Sequence, residues 1–160
     1  MAITLCMIVR DEAARLPQCL ASVAGVVDEA VIVDTGSQDA TVAIARDWGA
    51  RVYEVPWEED FAAARNIALK YVTTEWVLVL DADETLTPAF AALVPEICQQ
   101  SDWLVVTLLR QELGVVPPIL MCPAFFVVIP TCALNVPTTK PLMTAFLPCN
   151  NGNPTGKLRK

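Results

Sequence analysis

At 160 residues the chain has the length of one domain, or of one domain with a tail, and can bury a respectable core. A formal net charge of −7 and a pI near 4.5 exclude a nucleic-acid surface, which needs clustered Lys and Arg to neutralise phosphates. The absence of histidine removes Ser-His and Cys-His nucleophile pairs, histidine general bases and imidazole metal ligands, so any catalysis must run on carboxylates, Lys, Arg or a metal.

Along the chain, apolar strands alternate with amphipathic helices. Ile3–Val9 reads as a first strand; the apolar start is too short, and lacks the basic flank, for a secretory signal. A helix is expected over Glu12–Val23, then a strand over Ala30–Asp34. Thr41–Trp48 reads as a helix, with Ser37 and Asp39 as candidate caps before it and Gly49 placed to end it. Arg51–Val55 makes a third strand. Phe61–Tyr71 makes a third helix, capped by Asp60, with Phe61, Ala64, Ala68 and Tyr71 at helical spacing. Trp76–Leu80 is a fourth strand. Thr87 followed by Pro88 opens a helix to about Gln99, and Trp103–Leu109 gives a fifth strand. Such alternation implies an α/β fold with a mostly parallel sheet and right-handed crossovers.

Six cysteines, at positions 6, 19, 98, 122, 132 and 149, show no C-x-x-C spacing and read as buried free thiols of a reducing compartment. Acids follow three of the strands: Asp11 and Glu12 the first, Asp34 and Asp39 the second, and Asp81, Asp83 and Glu84 the fourth. In a parallel sheet all three groups converge on the carboxyl edge, where open α/β sheets bind ligands. Asp11 and Asp39 are equally readable as helix caps. Asp34 closes an apolar strand ahead of a small Thr-Gly-Ser turn and could accept hydrogen bonds from a base or ribose. Asp81 and Asp83 carry the strongest functional signal. Two adjacent carboxylates repel unless a cation or a shared proton relieves them, and hard oxygen ligands suit Mg²⁺ or Mn²⁺.

Four motifs in order, Leu5 to Glu12, Val33 to Asp39, Asp60 to Asn66 and Leu80 to Glu84, resemble those of family 2 glycosyltransferases with the GT-A fold. The likeness is closest to the branch containing lipopolysaccharide-core glucosyltransferases, enzymes of cell-envelope polysaccharide synthesis. This resemblance covers about the first 110 residues and implies a Rossmann-like nucleotide-binding half. It places Asp34 at the nucleotide base, lines the same pocket with Val9, Arg10 and Glu12, and assigns Asp81 and Asp83 as the DxD acids holding Mg²⁺ or Mn²⁺ against the donor diphosphate. Arg65 matches a position near the donor, although pairing with Asp60 or Asp34 would serve it equally well. The implied reaction is sugar transfer, with inversion, from a nucleotide-sugar, a UDP-sugar first among them, to a hydroxyl of a glycan, lipid-linked or protein acceptor. Localisation is expected to be cytoplasmic, with peripheral association at the inner membrane face if the acceptor is lipid-linked.

A second reading of Leu78 to Leu86 is the DxDxT signature of haloacid-dehalogenase-type phosphatases, with Asp81 as nucleophile and Asp83 as general acid/base. Three strand–helix units precede the motif, and the second acid pair that such phosphatases need is missing after Gly114, so the transferase reading leads. A non-catalytic nucleotide-binding remnant is a third.

The sequence divides at Gly114 into residues 1–114, the nucleotide-sugar-binding part, and an atypical tail over 115–160. All eighteen acids precede Gly114, whereas the tail has no acid, four basic residues and eight of the twelve prolines. Val115–Val136 is uncharged and long enough for a bilayer, but Pro117, Pro118, Pro123 and Pro130 interrupt it. Back-translating Pro117–Met143 and reading one nucleotide earlier permits PYSYVSRLFRRHPDLRFERPYHETIDD, which resembles the family's continuation. The tail is therefore read as the product of a frame change near Gly114 to Pro117, irregular and without a native fold. No catalytic base is identified: Glu112 is the last acid, and the family's base comes from beyond the fifth strand.

Overall fold

The computed structural model describes residues 2–99 and, beyond them, the backbone of three strands at 106–108, 126–130 and 143–144. The order of elements is β1 (Ile3–Val9), α1 (Leu16–Val23), β2 (Glu29–Asp34), α2 (Thr41–Trp48), β3 (Arg51–Glu54), α3 (Phe61–Lys70), β4 (Trp76–Val79), α4 (Pro88–Ala91), α5 (Val94–Cys98), β5 (Val106–Leu108), β6 (Phe126–Pro130) and β7 (Met143–Thr144). Among the described residues the strands form one sheet in the order β3-β2-β1-β4-β6-β5-β7. The expected parallel arrangement holds for β1 to β4, with Leu5 opposite both Ala30 and Leu78, while β6 runs antiparallel to β4 and to β5.

The two-residue period of the strands sorts the core onto two faces. Leu5, Met7, Val9, Ile32 and Leu78 pack on one side against Leu16, Leu20 and Val23 of α1, Ala45 of α2, Phe90 of α4 and Ile97 of α5. Cys6, Val31, Val33, Val77 and Val79 point the other way, onto Ala68 of α3. Both faces are therefore covered, which is why β1, β2 and β4 read as unbroken apolar runs rather than as alternating ones.

Several boundaries differ from the sequence expectation for local reasons. Helix α1 starts at Leu16 rather than Glu12, because Pro17 is tolerated only in the first turn. The single helix expected from Pro88 to Gln99 is two, α4 and α5: Pro95 has no N–H to bond the preceding turn, and the chain breaks at Ala92 and Leu93. Asp60 caps α3 as expected, its Oδ1 accepting from the Ala62 and Ala63 amides at 2.8 and 3.0 Å. Gly49 ends α2 at φ 101°, a left-handed conformation that glycine adopts without strain. Within the helical stripe on α3, Ala64 and Ala68 are buried, but Phe61 is 72% exposed and Tyr71 39%. Phe61 stands in the first turn edge-on to Trp57, and Tyr71 lies past the last turn, stacked on Tyr53.

Cys6, Cys19 and Cys98 are buried free thiols, as expected. Of the fifth strand, Val106–Leu108 is seen, and the rest of Trp103–Leu109 lies outside the described residues. In the tail, β6 and β7 belong to the sheet; the remaining expectations for 115–160, including most of the bilayer-length stretch, lie outside the described residues. Among the described residues no helix is long and apolar enough to cross a membrane.

Candidate active site at the carboxyl edge of the sheet

Because β1, β2 and β4 are parallel, the loops that follow them lie at one edge, and hydrogen bonds join those after β1 and β2. Asp34, only 2% exposed, ends β2 and folds the next turn onto itself. Its Oδ2 accepts from the Gly36 amide at 3.0 Å and the Ser37 amide at 2.9 Å, and its Oδ1 accepts a short hydrogen bond from the Ser37 hydroxyl. Gly36 sits at φ 102°, a value the turn requires and a side chain would resist. The Ser37 hydroxyl in turn accepts from the Asp11 amide at 2.9 Å, and Asp11 Oδ1 accepts from the Gln38 amide at 2.7 Å. These two bonds hold Asp11 at φ 53°, an uncommon conformation for a residue other than glycine.

Asp39 works both as a helix-start residue and as a bridge. Its Oδ1 accepts from the Thr41 amide and hydroxyl, and its Oδ2 from the Ala13 amide at 3.0 Å. The Thr41 hydroxyl also accepts from the Glu12 amide at 2.8 Å. The Thr41 hydroxyl is the largest cause holding the Asp39 carboxyl below its ordinary range; desolvation opposes it, and the Thr41 and Ala13 amides add to the lowering. Asp11 and Asp39 thus accept amides across the loops after β1 and β2 and lock them together, while Asp34 fixes the turn that presents Ser37 to Asp11. Ser37 and Thr41, the hydroxyl groups at the centre of this lattice, carried little signal in the sequence beyond their capping propensity.

The residues proposed around the base divide in behaviour. The Val9 side chain is buried in the core, and its carbonyl accepts from the Thr35 amide and hydroxyl at 3.0 and 3.2 Å, so Val9 shapes the site through its backbone. Arg10 is exposed at the edge, and the Glu12 carboxylate pairs with Arg15 at 3.2 Å.

After β4, Leu80 is buried, and Ala82, the alanine between the acids, is buried in the core while both acids, Asp81 and Asp83, are exposed. The Asp81 amide donates to Glu84 Oε2 and the Glu84 amide to the Asp81 carbonyl, both at 3.0 Å, which closes a tight turn. Arg65 pairs with Asp81 at 3.1 Å, not with Asp60 or Asp34. From the other face Cys19 donates to the Asp81 carbonyl at 3.6 Å. Burial first, then the charges of Glu84, Asp83 and Asp81, push the Cys19 thiol up to about 12. Among the described residues no cluster of three or more His, Cys, Asp or Glu is arranged to hold a metal alone. Asp81 and Asp83 offer carboxylate oxygens alone, the ligand type that suits Mg²⁺, and any ion held there would need further ligands from a bound molecule.

A mostly parallel α/β sheet with helices on both faces, and acid-bearing loops at its carboxyl edge, is the architecture in which open α/β sheets bind ligands beyond their strands' carboxyl ends. The family model for glycosyl transferase family 2 matches residues 4–118, and the chain belongs to that family. A TPR repeat-containing protein of Synechococcus elongatus is 50% identical over 111 residues, covering 69% of this chain and 27% of that protein. An uncharacterized glycosyltransferase of Rickettsia felis is 40% identical over 81 residues, 51% of this chain and 28% of its own length. The chain thus spans little more than a quarter of either relative. Among solved structures, glucosyl-3-phosphoglycerate synthase from Mycobacterium tuberculosis, in complex with Mn²⁺ and UDP-glucose, superposes with a TM-score of 0.56 at 24% identity, covering 67% of this chain and 43% of that one. These similarities establish the family and the GT-A-like fold without singling out its lipopolysaccharide-core branch, and family membership sets aside the phosphatase reading of Asp81.

Proposed function

We propose that residues 1–114 form the donor-binding half of a glycosyltransferase that takes a nucleotide-sugar, a UDP-sugar first among candidates. The observation carrying this reading is the outward-facing Asp81–Asp83 pair at the end of β4, on the same sheet edge as the Asp34 turn. In this reading the locked loops after β1 and β2, with Val9, Arg10, Glu12 and Asp34, receive the nucleoside. Asp81 and Asp83 would hold Mg²⁺ or Mn²⁺ at the diphosphate. The bound ion would supply positive charge where negative charge develops on the departing nucleoside diphosphate. Arg65, already against Asp81, orients that carboxylate and places a second positive charge beside the phosphates. The Mn²⁺ and UDP-glucose in the mycobacterial neighbour support the same donor chemistry.

Transfer with inversion also needs a base for the acceptor hydroxyl, and no acid follows Glu112. The family match stops at residue 118, within a few residues of the charge break at Gly114. We therefore read residues 115–160 as an out-of-frame tail that offers no acceptor base, and residues 1–114 as the donor-binding part. Calorimetry with UDP and Mn²⁺ tests the donor site. Binding should require the metal and be lost in Asp83→Ala; binding indifferent to both removes the metal assignment.

A further inference from the structure

The turn carrying Asp81 and Asp83 is held at both ends by one face of α1. At its entry the Cys19 thiol donates to the Asp81 carbonyl at 3.6 Å. At its exit the Leu86 amide donates to the Ser22 hydroxyl at 3.0 Å, and that hydroxyl donates onward to the Cys19 carbonyl at 2.7 Å. Cys19 and Ser22 are three apart on the helix and so share a face. Between the two anchor points, Ala82 and Leu86 are buried in the same core cluster as Cys19 and Leu20. The acids thus project from a segment pinned by α1 beneath, while Arg65 of α3 reaches Asp81 from the other side of the sheet.

We infer that Cys19 and Ser22 are positioning residues for the metal site: they fix the Asp81–Leu86 turn so that both carboxylates are pre-set for a divalent cation and a nucleoside diphosphate. This rests on the donor-site reading above. A preorganised pair of ligands binds without first losing the freedom of a mobile turn, so loosening the turn lowers metal affinity even though neither residue touches the ion. The Ser22 hydroxyl is the stronger of the two anchors, since a thiol is a weak donor.

The test uses the full chain, with Mn²⁺ titrated in the presence of saturating UDP and amide exchange followed at Leu86. Ser22→Ala should weaken Mn²⁺ binding roughly fivefold, the equivalent of about one hydrogen bond, and speed exchange of the Leu86 amide. Ser22→Thr, which keeps the hydroxyl, should return both readouts to within about twofold of wild type. Alanine is the better helix former, so Ser22→Ala leaves α1 able to fold, and an unchanged urea midpoint separates positioning from global stability. Unchanged Mn²⁺ affinity alongside faster Leu86 exchange would overturn the positioning role while leaving the donor site standing. Wild-type protein that binds no Mn²⁺ with UDP would overturn the donor-site reading and this role together.

Discussion

Replacing Asp34 with alanine removes one buried carboxylate and the acceptor for three hydrogen bonds, from the Gly36 amide, the Ser37 amide and the Ser37 hydroxyl. A hydrogen bond to a charged acceptor contributes about 1.5–3 kcal/mol, but the three share one group and are not additive. Gly36 is exposed and Ser37 half-buried, so water recovers part of the loss. The expected destabilisation is about 2–3 kcal/mol, a large share of the roughly 5–15 kcal/mol by which a domain is folded. Asp34→Asn should cost about half as much, because the amide oxygen can still accept from both backbone donors while its NH₂ group faces the Ser37 oxygen. Urea unfolding of the three proteins measures this directly, with an unchanged m-value as the sign that only stability moved. UDP binding should fall in both variants, because the Ser37 hydroxyl that joins the two loops has lost its acceptor. An Asp34→Ala protein within about 0.5 kcal/mol of wild type, the range of ordinary surface substitutions, would show that the turn stands without the carboxylate and would refute the reasoning.

Arg65 and Asp81 are 39% and 58% exposed as side chains, so Arg65→Ala should change stability by less than about 1 kcal/mol. UDP affinity in the presence of Mn²⁺ should nevertheless drop, and Arg65→Lys should restore it only in part, as calorimetry will show. Glu29 is pushed up by burial, but hydrogen bonds from Thr4 and Thr73 and the charge of Arg51 outweigh this and leave its pKa below 4.5. The folded-state pKa being the lower one, its contribution is present above the ordinary Glu range and lost as pH falls through the folded value; Glu29→Gln should therefore flatten stability-versus-pH curves below about pH 4.5. Restoring the alternative frame from Pro117 onward should turn a donor-binding chain into one that releases UDP from a UDP-sugar, measured by a coupled nucleotide assay. A gene whose codons preclude that alternative reading would sink the frame-change explanation.

Elements whose residues agree at every local level were legible in the sequence. Thr41–Trp48 has an acid before it and a glycine after it, and the structure keeps both bounds. The apolar runs of β1, β2 and β4 announced a sheet covered on both faces, and the acids closing them announced its ligand edge. Less legible were features that depend on where an element ends relative to its neighbours. The stripe containing Phe61 and Tyr71 has a core period, yet both rings fall at the ends of α3, beyond the residues that pack on the sheet. Hydrogen bonds between sequence-distant hydroxyls and amides left no periodic trace: Ser22 meets Leu86, 64 residues on, and Thr41 meets Glu12, 29 residues back. Only the tertiary fold brings these groups within reach.

The same contacts separate acids that build the site from acids that could act in it. Asp11 and Asp39 each accept a backbone amide from the neighbouring loop and Asp34 accepts two from its own turn, and satisfying those donors is a structural task for which a carboxylate is well suited. At β4 the geometry is different. The turn is closed by Asp81 and Glu84 through backbone groups and the Glu84 side chain, which leaves the Asp81 carboxylate to an arginine and to solvent. The sequence already favoured Asp81 and Asp83 and left Asp11 and Asp39 equally readable as helix caps. The structure distinguishes them by what their oxygens already do: Asp81, exposed beside Asp83 just after a buried strand, meets Arg65, and in the proposed donor site it is the acid that would exchange that partner for a cation.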